Sequence, residues 1–227
     1  MIEKIFNKVF RASFQYKNQE LPAFLLQRLY HSGAYLPYTI STIRFRHMAC
    51  IINDIVINSR KNILEFGAGI STVIMARLAK LNSLNVKIVS VDQSSEWIAM
   101  LQTIMRDEGI DQYVTFVHAP LQRSTDVEFA NEFDRAVVYQ QIGETRFDLV
   151  LIDGPTASRK ANRNSRLTNF RFLESNFADT GTIFIDNADR SGEELLARKI
   201  EAHFKIREAK VEEAFSIFVR GKHFNFR

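Results

Sequence analysis

Ile63-Leu64-Glu65-Phe66-Gly67-Ala68-Gly69-Ile70-Ser71-Thr72 is the stretch on which the reading of this chain turns. Its first residues form an apolar run that reads as a buried strand, with one acid, Glu65, inside it. A carboxylate there costs several kcal/mol unless it meets hydrogen-bond donors, so the neighbourhood must supply them. Gly67 and Gly69 follow at once. Ile70-Ser71-Thr72 then opens a helix, with Ser71 or Thr72 as the expected N-cap. Glycines let a ligand approach the backbone closely, and a helix N-terminus offers N–H groups to a carboxylate. The third glycine of the dinucleotide pattern G-x-G-x-x-G is missing.

Outward from that turn, short apolar runs alternate with helical patterns, the signature of βαβ units on a parallel sheet. Strands are predicted at residues 62–66, 86–91, 114–117, 147–152 and 182–185. Helices are predicted near residues 71–81, 95–107, 126–140, 167–177 and 193–204. Two last strands, at residues 205–210 and 215–219, lie too close for a crossover and must pair as an antiparallel hairpin.

The pattern changes near residue 60. Before it, Ile2, Ile5, Phe6, Val9, Phe10 and Phe14 recur at helical intervals with lysine and arginine between them. Such a helix packs on its own domain, lies on a membrane surface or pairs with another subunit. Further helices are predicted near residues 21–31 and 41–58, separated by a loop that Gly33 and Pro37 punctuate. The expected organisation is a helical appendage, residues 1–59, covering the active site and offering a homodimer surface. The domain that carries the site then runs over residues 60–227.

The 227 residues are 46% hydrophobic and 25% charged, which fits one large core and excludes wholesale disorder. A net charge of +4 favours acidic partners only weakly, and no aromatic–basic RNA module is present. The single cysteine, Cys50, excludes an intrachain disulfide and a cysteine metal cluster, and its apolar surroundings mark it as a buried hydrophobe. No apolar run approaches the roughly 18 residues that span a bilayer. Lys4, Lys8 and Arg11 interrupt any secretory core, so a cytoplasmic location is expected. His31, His47, His118, His203 and His223 form no ligand-spaced pair, which argues against zinc.

The second strand ends in Val89-Ser90-Val91-Asp92. An acid at that place is set to accept the hydroxyls of a ribose, or else it caps the next helix. Taken together, residues 62–81 and Val91-Asp92 resemble motif I and the ribose motif of class I S-adenosylmethionine-dependent methyltransferases. The wording around Glu65 is similar to a bacterial branch typified by E-F-G-x-G-x-S-T and to the catechol O-methyltransferase-like group. The resemblance spans about residues 60 to 220. It implies a Rossmann-like α/β fold with a seven-stranded, mostly parallel sheet and an antiparallel last strand. By this likeness Glu65, Gly67, Ala68, Gly69 and Ser71 surround the methionine part of S-adenosyl-L-methionine. Asp92 with Gln93 holds the ribose, and the loop His118-Ala119-Pro120-Leu121 flanks the adenine. Ala119 and Asp153 complete the cofactor-binding set.

Strand four closes on Ile152-Asp153-Gly154-Pro155 and strand five on Ile185-Asp186-Asn187. Ligands of open α/β sheets bind outside the carboxyl ends of the strands. Two carboxylates and an amide form an all-oxygen set suited to Mg²⁺. Asp153, Asp186 and Asn187 also match the metal triad of the catechol-type enzymes in identity and position. The lysine that those enzymes carry after the strand-four acid is Thr156 here, and the nearest lysine is Lys160. Asp153 is alternatively a metal-free base or a helix cap, and His118 is the second candidate base. Trp97 is expected to pack its helix on the sheet.

Arg159, Lys160, Arg163, Arg166 and Arg171 crowd the segment after Asp153. They are either a solvated face or a site for an anionic acceptor, with Arg159, Arg163 and Arg166 as its contacts. The expected function is O-methylation of a small molecule or sugar, assisted by Mg²⁺. The alternatives are methylation of nucleic acid and non-catalytic nucleotide binding on the same fold. Against the first, strand four ends in Asp-Gly-Pro and not in an Asn-Pro-Pro-Tyr type turn.

Overall fold

Two helices, α1 (residues 20–30) and α2 (Phe45–Ile57), come first in the computed structural model, which describes residues 20–39, 41–211 and 214–227. Strand and helix then alternate through β1 (Asn62–Phe66), α3 (Ile70–Leu81), β2 (Lys87–Asp92), α4 (Ser95–Glu108) and β3 (Val114–His118). A small hairpin of β4 (Leu121–Arg123) and β5 (Asn131–Phe133) precedes α5 (Arg135–Ile142), β6 (Phe147–Ile152), α6 (Phe170–Asn176) and β7 (Phe177–Asp186). The chain closes with α7 (Ser191–Phe204), β8 (Glu208–Lys210) and β9 (Phe215–Arg220). The amphipathic pattern of residues 2–14, and any subunit pairing through it, lies outside the described residues.

The main sheet has the order β3-β2-β1-β6-β7-β9-β8. The run β3-β2-β1-β6-β7 is parallel, β9 is antiparallel to β7, and β8 is antiparallel to β9. This is the Rossmann-like, seven-stranded arrangement that the sequence predicts, closing hairpin included. Helices cover both faces, so central strands are apolar on both sides. Ile63 joins one hydrophobic cluster while Leu64 and Phe66 join the other, as the two-residue period of a strand requires. Met48, Ile51 and Ile55 of α2 share the first cluster with Ile63, Val73 and Phe184. Among the described residues no helix is long and apolar enough to cross a membrane.

Two elements differ from the prediction. Residues 126–134 are not helical: the hairpin β4–β5 occupies this region, and α5 starts only at Arg135 behind the N-cap Asp134. Ser124 accepts from the backbone N–H groups of Asp126 and Val127, and Phe129 takes a positive φ, which together turn the chain back. The helix expected over residues 167–177 is α6 preceded by a 3₁₀ turn at Ser165–Asn169, and Phe177 already belongs to β7.

The strand order reverses at β1, since the chain steps outward to β2 and β3 and then returns to β6 on the other side. The turns that follow β1 and β6 line one cavity at the carboxyl ends of these strands.

Candidate active site

Phe66 and Ile152 are register partners at the ends of β1 and β6, so the turns that follow them meet. The N–H groups of Asp153 and Gly154 both donate to the Phe66 carbonyl, at 2.9 and 2.5 Å. Gly67 has φ +96°, and a Cβ there would lie 2.8 Å from Gly154 N. A Cβ on Gly154 would in turn lie 2.8 Å from Gly67 Cα. The first glycine of the motif is thus demanded by a crossing of two backbones.

Beneath the turn, Glu65 is fully buried. Its donors are hydroxyls: Ser71 Oγ donates to one oxygen at 2.5 Å, and Thr72 Oγ1 and Ser90 Oγ donate to the other at 2.5 and 2.6 Å. Burial pushes the Glu65 carboxyl up to about 7, against the pull of those three hydroxyls. The expectation that Ser71 or Thr72 caps α3 is corrected, because Gly69 holds the N-cap position and both hydroxyls turn inward to Glu65. Glu65 supports the turn from below and is not among the residues lining the cavity, whereas Gly67, Ala68, Gly69 and Ser71 are.

Asp92 lines the same cavity at the end of β2. Its Oδ2 accepts from Ala68 N at 3.1 Å and its Oδ1 from Ser94 N at 2.8 Å. Ser94, not Asp92, is the N-cap of α4. Burial raises the Asp92 carboxyl, and the backbone N–H groups of Ser94, Ala68 and Gln93 oppose that rise. A carboxylate offers about four acceptor sites, so each oxygen keeps capacity for a ligand hydroxyl. Gln93 also lines the cavity, and its Oε1 is buried with no hydrogen-bond partner among the described residues. Trp97 packs against the core as expected, and it also lines the cavity, its Nε1 donating to Ala68 O at 2.8 Å. A glycine turn, a helix N-terminus, a carboxylate and an orphaned amide oxygen suit a nucleoside bearing an amino-acid tail.

Across the crevice, Arg166 reaches from the 3₁₀ turn into the ends of β6 and β7. Its Nη2 donates to Asp153 Oδ1 at 2.9 Å and to the Asp153 carbonyl. Its Nη1 donates to the Asp186 carbonyl at 2.7 Å, and its Nε to the Pro155 carbonyl at 3.4 Å. Burial pushes the Asp153 carboxyl up to about 7; Arg166 opposes this, and the Asp186 and Glu65 carboxylates reinforce it. Asp186 Oδ1 meets His47 Nδ1 at 3.1 Å, and the His47 ring stacks on Phe215 with centroids 4.3 Å apart. Asp153, Asp186, Asn187, Arg166 and His47 all line the cavity.

These contacts bear on the Mg²⁺ expected at Asp153, Asp186 and Asn187. One Asp153 oxygen is held by a guanidinium, and one Asp186 oxygen lies against an imidazole nitrogen. Mg²⁺ demands near-octahedral oxygen ligation, which a fixed cation on its first ligand obstructs. The donor set therefore fits the ion poorly.

The other predicted residues divide. His118 is exposed at the end of β3, and Ala119 is buried with its N–H on the Asp92 carbonyl. Neither lines the cavity, so His118 is not brought to Asp153. The basic run separates as well. Arg166 is buried, Arg163 lies 4.0 Å over the Phe129 ring, and Arg171 pairs with Asp126 and Glu132 at 3.3 and 3.2 Å. Arg159 and Arg163 are outside the cavity lining. The cavity instead takes Arg44, just before α2, and Arg190, just before α7. Sequence reasoning missed His47, Arg44 and Arg190. The only signal was the place of Arg190 directly behind Asp186-Asn187. The cavity measures about 850 Å³, room for a nucleoside cofactor beside a small acceptor.

Residues 64–188, more than half of the chain, match a family model described as a methyltransferase domain. No curated protein sequence matches the chain. Among solved structures it is similar to the SAH-bound methyltransferase PaMTH1 of Podospora anserina, with 16% identity, 80% of each chain covered and a TM-score of 0.54. It is also similar to the O-methyltransferase TomG of Streptomyces achromogenes in complex with SAM, at 13% identity and a TM-score of 0.53, covering 88% of this chain and 90% of that one. An O-methyltransferase of Bacillus cereus in complex with SAH gives 14% identity and 0.51, covering 90% and 91%. At these identities the likeness is one of fold.

Proposed function

The chain belongs to the methyltransferase-domain family, and on that premise we propose that it moves the methyl group of S-adenosyl-L-methionine to an oxygen of a small molecule. The observation that carries this reading is one cavity with two halves: the Gly67–Gly69 turn with Asp92 on one side, and Asp153 one strand across. Gly67, Ala68, Gly69 and Ser71 would take the methionine part, and Asp92 and Gln93 the ribose and its surroundings. The choice of oxygen follows the two similar structures that are O-methyltransferases. Arg190, on the β7 side of the cavity, favours an acceptor that carries a carboxylate or phosphate.

When bound, the cofactor supplies an electrophilic methyl carbon on a sulfonium. The protein's part is to hold the acceptor oxygen in line and to receive its proton. Asp153 is the group placed for the second task, and a carboxyl raised to about 7 is matched to proton uptake near neutral pH. Arg166 holds one of its oxygens, which leaves the other for the acceptor hydroxyl.

The test begins with calorimetry of the full chain against S-adenosylmethionine and its demethylated product. Transfer of labelled methyl to a panel of hydroxylated small molecules follows. Asp153→Asn should bind the cofactor normally and transfer poorly. Absence of cofactor binding up to about 1 mM would reject the reading.

A further inference from the structure

We propose that the guanidinium of Arg166 is the resident cation of this site and stands where the catechol-type resemblance puts a divalent metal. Its side chain is only 5% exposed, yet it meets a carboxylate oxygen and three backbone carbonyls, those of Asp153, Pro155 and Asp186. Arginine suits such a place because its donors are fixed in a planar fork and it stays charged. The fork joins the turn after β6 to the end of β7, the same two strand ends that a metal held by Asp153 and Asp186 would bridge.

Charges of both signs already surround it. Glu193 is buried, and its oxygens have no hydrogen-bond partner among the described residues. Its Oε1 lies 3.5 Å from Arg166 Nη1 and 3.9 Å from Arg190 Nη1. Asp153 and Glu193 thus face Arg166 and Arg190, with the guanidinium of Arg166 between the two carboxylates and Asp186 as a further acid of the site. A divalent ion on Asp153 would have to sit beside that guanidinium, and the two like charges would repel. Arg166 touches neither cofactor nor acceptor in this scheme. It is a positioning residue: it fixes one oxygen of Asp153 and thereby aims the other.

The exclusion of a divalent ion stands on this geometry alone, while the positioning role rests on the methyl-transfer reading. Mn²⁺ is the probe, followed by electron paramagnetic resonance on the purified full chain. The wild-type protein should show no site tighter than about 1 mM. Arg166→Ala, checked for native circular dichroism, should gain one that Asp186→Asn then removes. Should Arg166→Ala fail to fold, Arg166→Gln, which keeps two donors without the charge, takes its place with the same expectation. A wild-type Mn²⁺ site that Asp186→Asn abolishes would overturn the proposal. So would a folded Arg166→Ala or Arg166→Gln variant that still binds no Mn²⁺. For the positioning role, Arg166→Lys should leave cofactor affinity unchanged, lower turnover at least tenfold and gain no metal. Equal turnover in Arg166→Lys overturns that role. Failure of the wild type to bind S-adenosylmethionine strikes the methyl-transfer reading and leaves the metal result intact.

Discussion

His47 and Asp186 stand 139 positions apart in the chain and meet at 3.1 Å in a buried contact. The contact joins α2 to the carboxyl end of β7, so a helix from the first quarter of the chain supplies a wall of the cavity. His47→Ala and Asp186→Asn should therefore not behave as independent changes. Urea unfolding of the two single variants and the double variant should give a coupling of about 0.5–3 kcal/mol. Additive effects would mean that the two groups are neighbours without an energetic tie.

Asp92→Ala should weaken S-adenosylmethionine binding by about 1.5–3 kcal/mol, the usual worth of hydrogen bonds to a charged group. Calorimetry reads this directly. An unchanged affinity would take Asp92 away from the ribose.

The glycines should separate by effect. Gly154→Ala drives a Cβ to 2.8 Å from the Gly67 backbone, where nothing can yield cheaply, and should cost about 1–3 kcal/mol of stability. At Gly69 a Cβ would meet only Ser71 Oγ, at 3.7 Å. Gly69→Ala should keep its stability within about 1 kcal/mol and lose cofactor affinity instead. Denaturant unfolding beside calorimetry distinguishes the two. Equal loss of stability in both would contradict the backbone crossing.

Within the basic run, Arg163 and Arg166 should differ sharply although they are three residues apart. Arg163→Ala removes a surface contact with Phe129 and should shift stability by no more than about 0.5 kcal/mol. Arg166→Ala strips the compensating charge from Asp153 and Glu193, and should cost about 3–5 kcal/mol. Similar melting temperatures for the two variants would refute the burial of Arg166.

Glu65 predicts a pH dependence of stability. Its carboxyl ordinarily titrates at 4.5, as in the unfolded chain, and burial moves it to about 7 in the folded protein. Between those values the folded state holds the extra proton, so stability should fall as pH rises from about 4.5 to 7 and level off above. Each such proton contributes a slope of about 1.4 kcal/mol per pH unit. Asp153 adds to the slope in the same direction, because its carboxyl is raised as well. Glu65→Gln should remove only its own share, and an unaltered slope in that variant would place the linkage elsewhere.

The strand, the glycine turn and the following helix around Glu65 are legible in sequence because each is a local pattern: an apolar run, two glycines, a helical period. The parallel order follows from strands separated by helices, and Asp92 and Asp153 are conspicuous because they stand at strand ends, where ligands of open α/β sheets bind. Residues 126–140 show the limit. Apolar spacing there imitates a helix, while the Ser124 hydroxyl and the positive φ of Phe129 bend the backbone into a hairpin.

What the sequence by itself determined is thus the α/β class, the glycine turn and the strand ends that face the crevice. Their signals lie within one element and its flanks, where period and turn chemistry act. Only the tertiary structure decided which side chains those strand ends meet. Ser90 reaches Glu65 from the neighbouring strand, His47 reaches Asp186 from α2, and Arg166 holds one oxygen of Asp153. Arg163 and Arg166 have the same chemistry and nearly the same address, yet one is solvated and the other is the cation of the site. A side chain's partner is set by what packs opposite it, and that is a property of elements remote in sequence brought together by burial of the core.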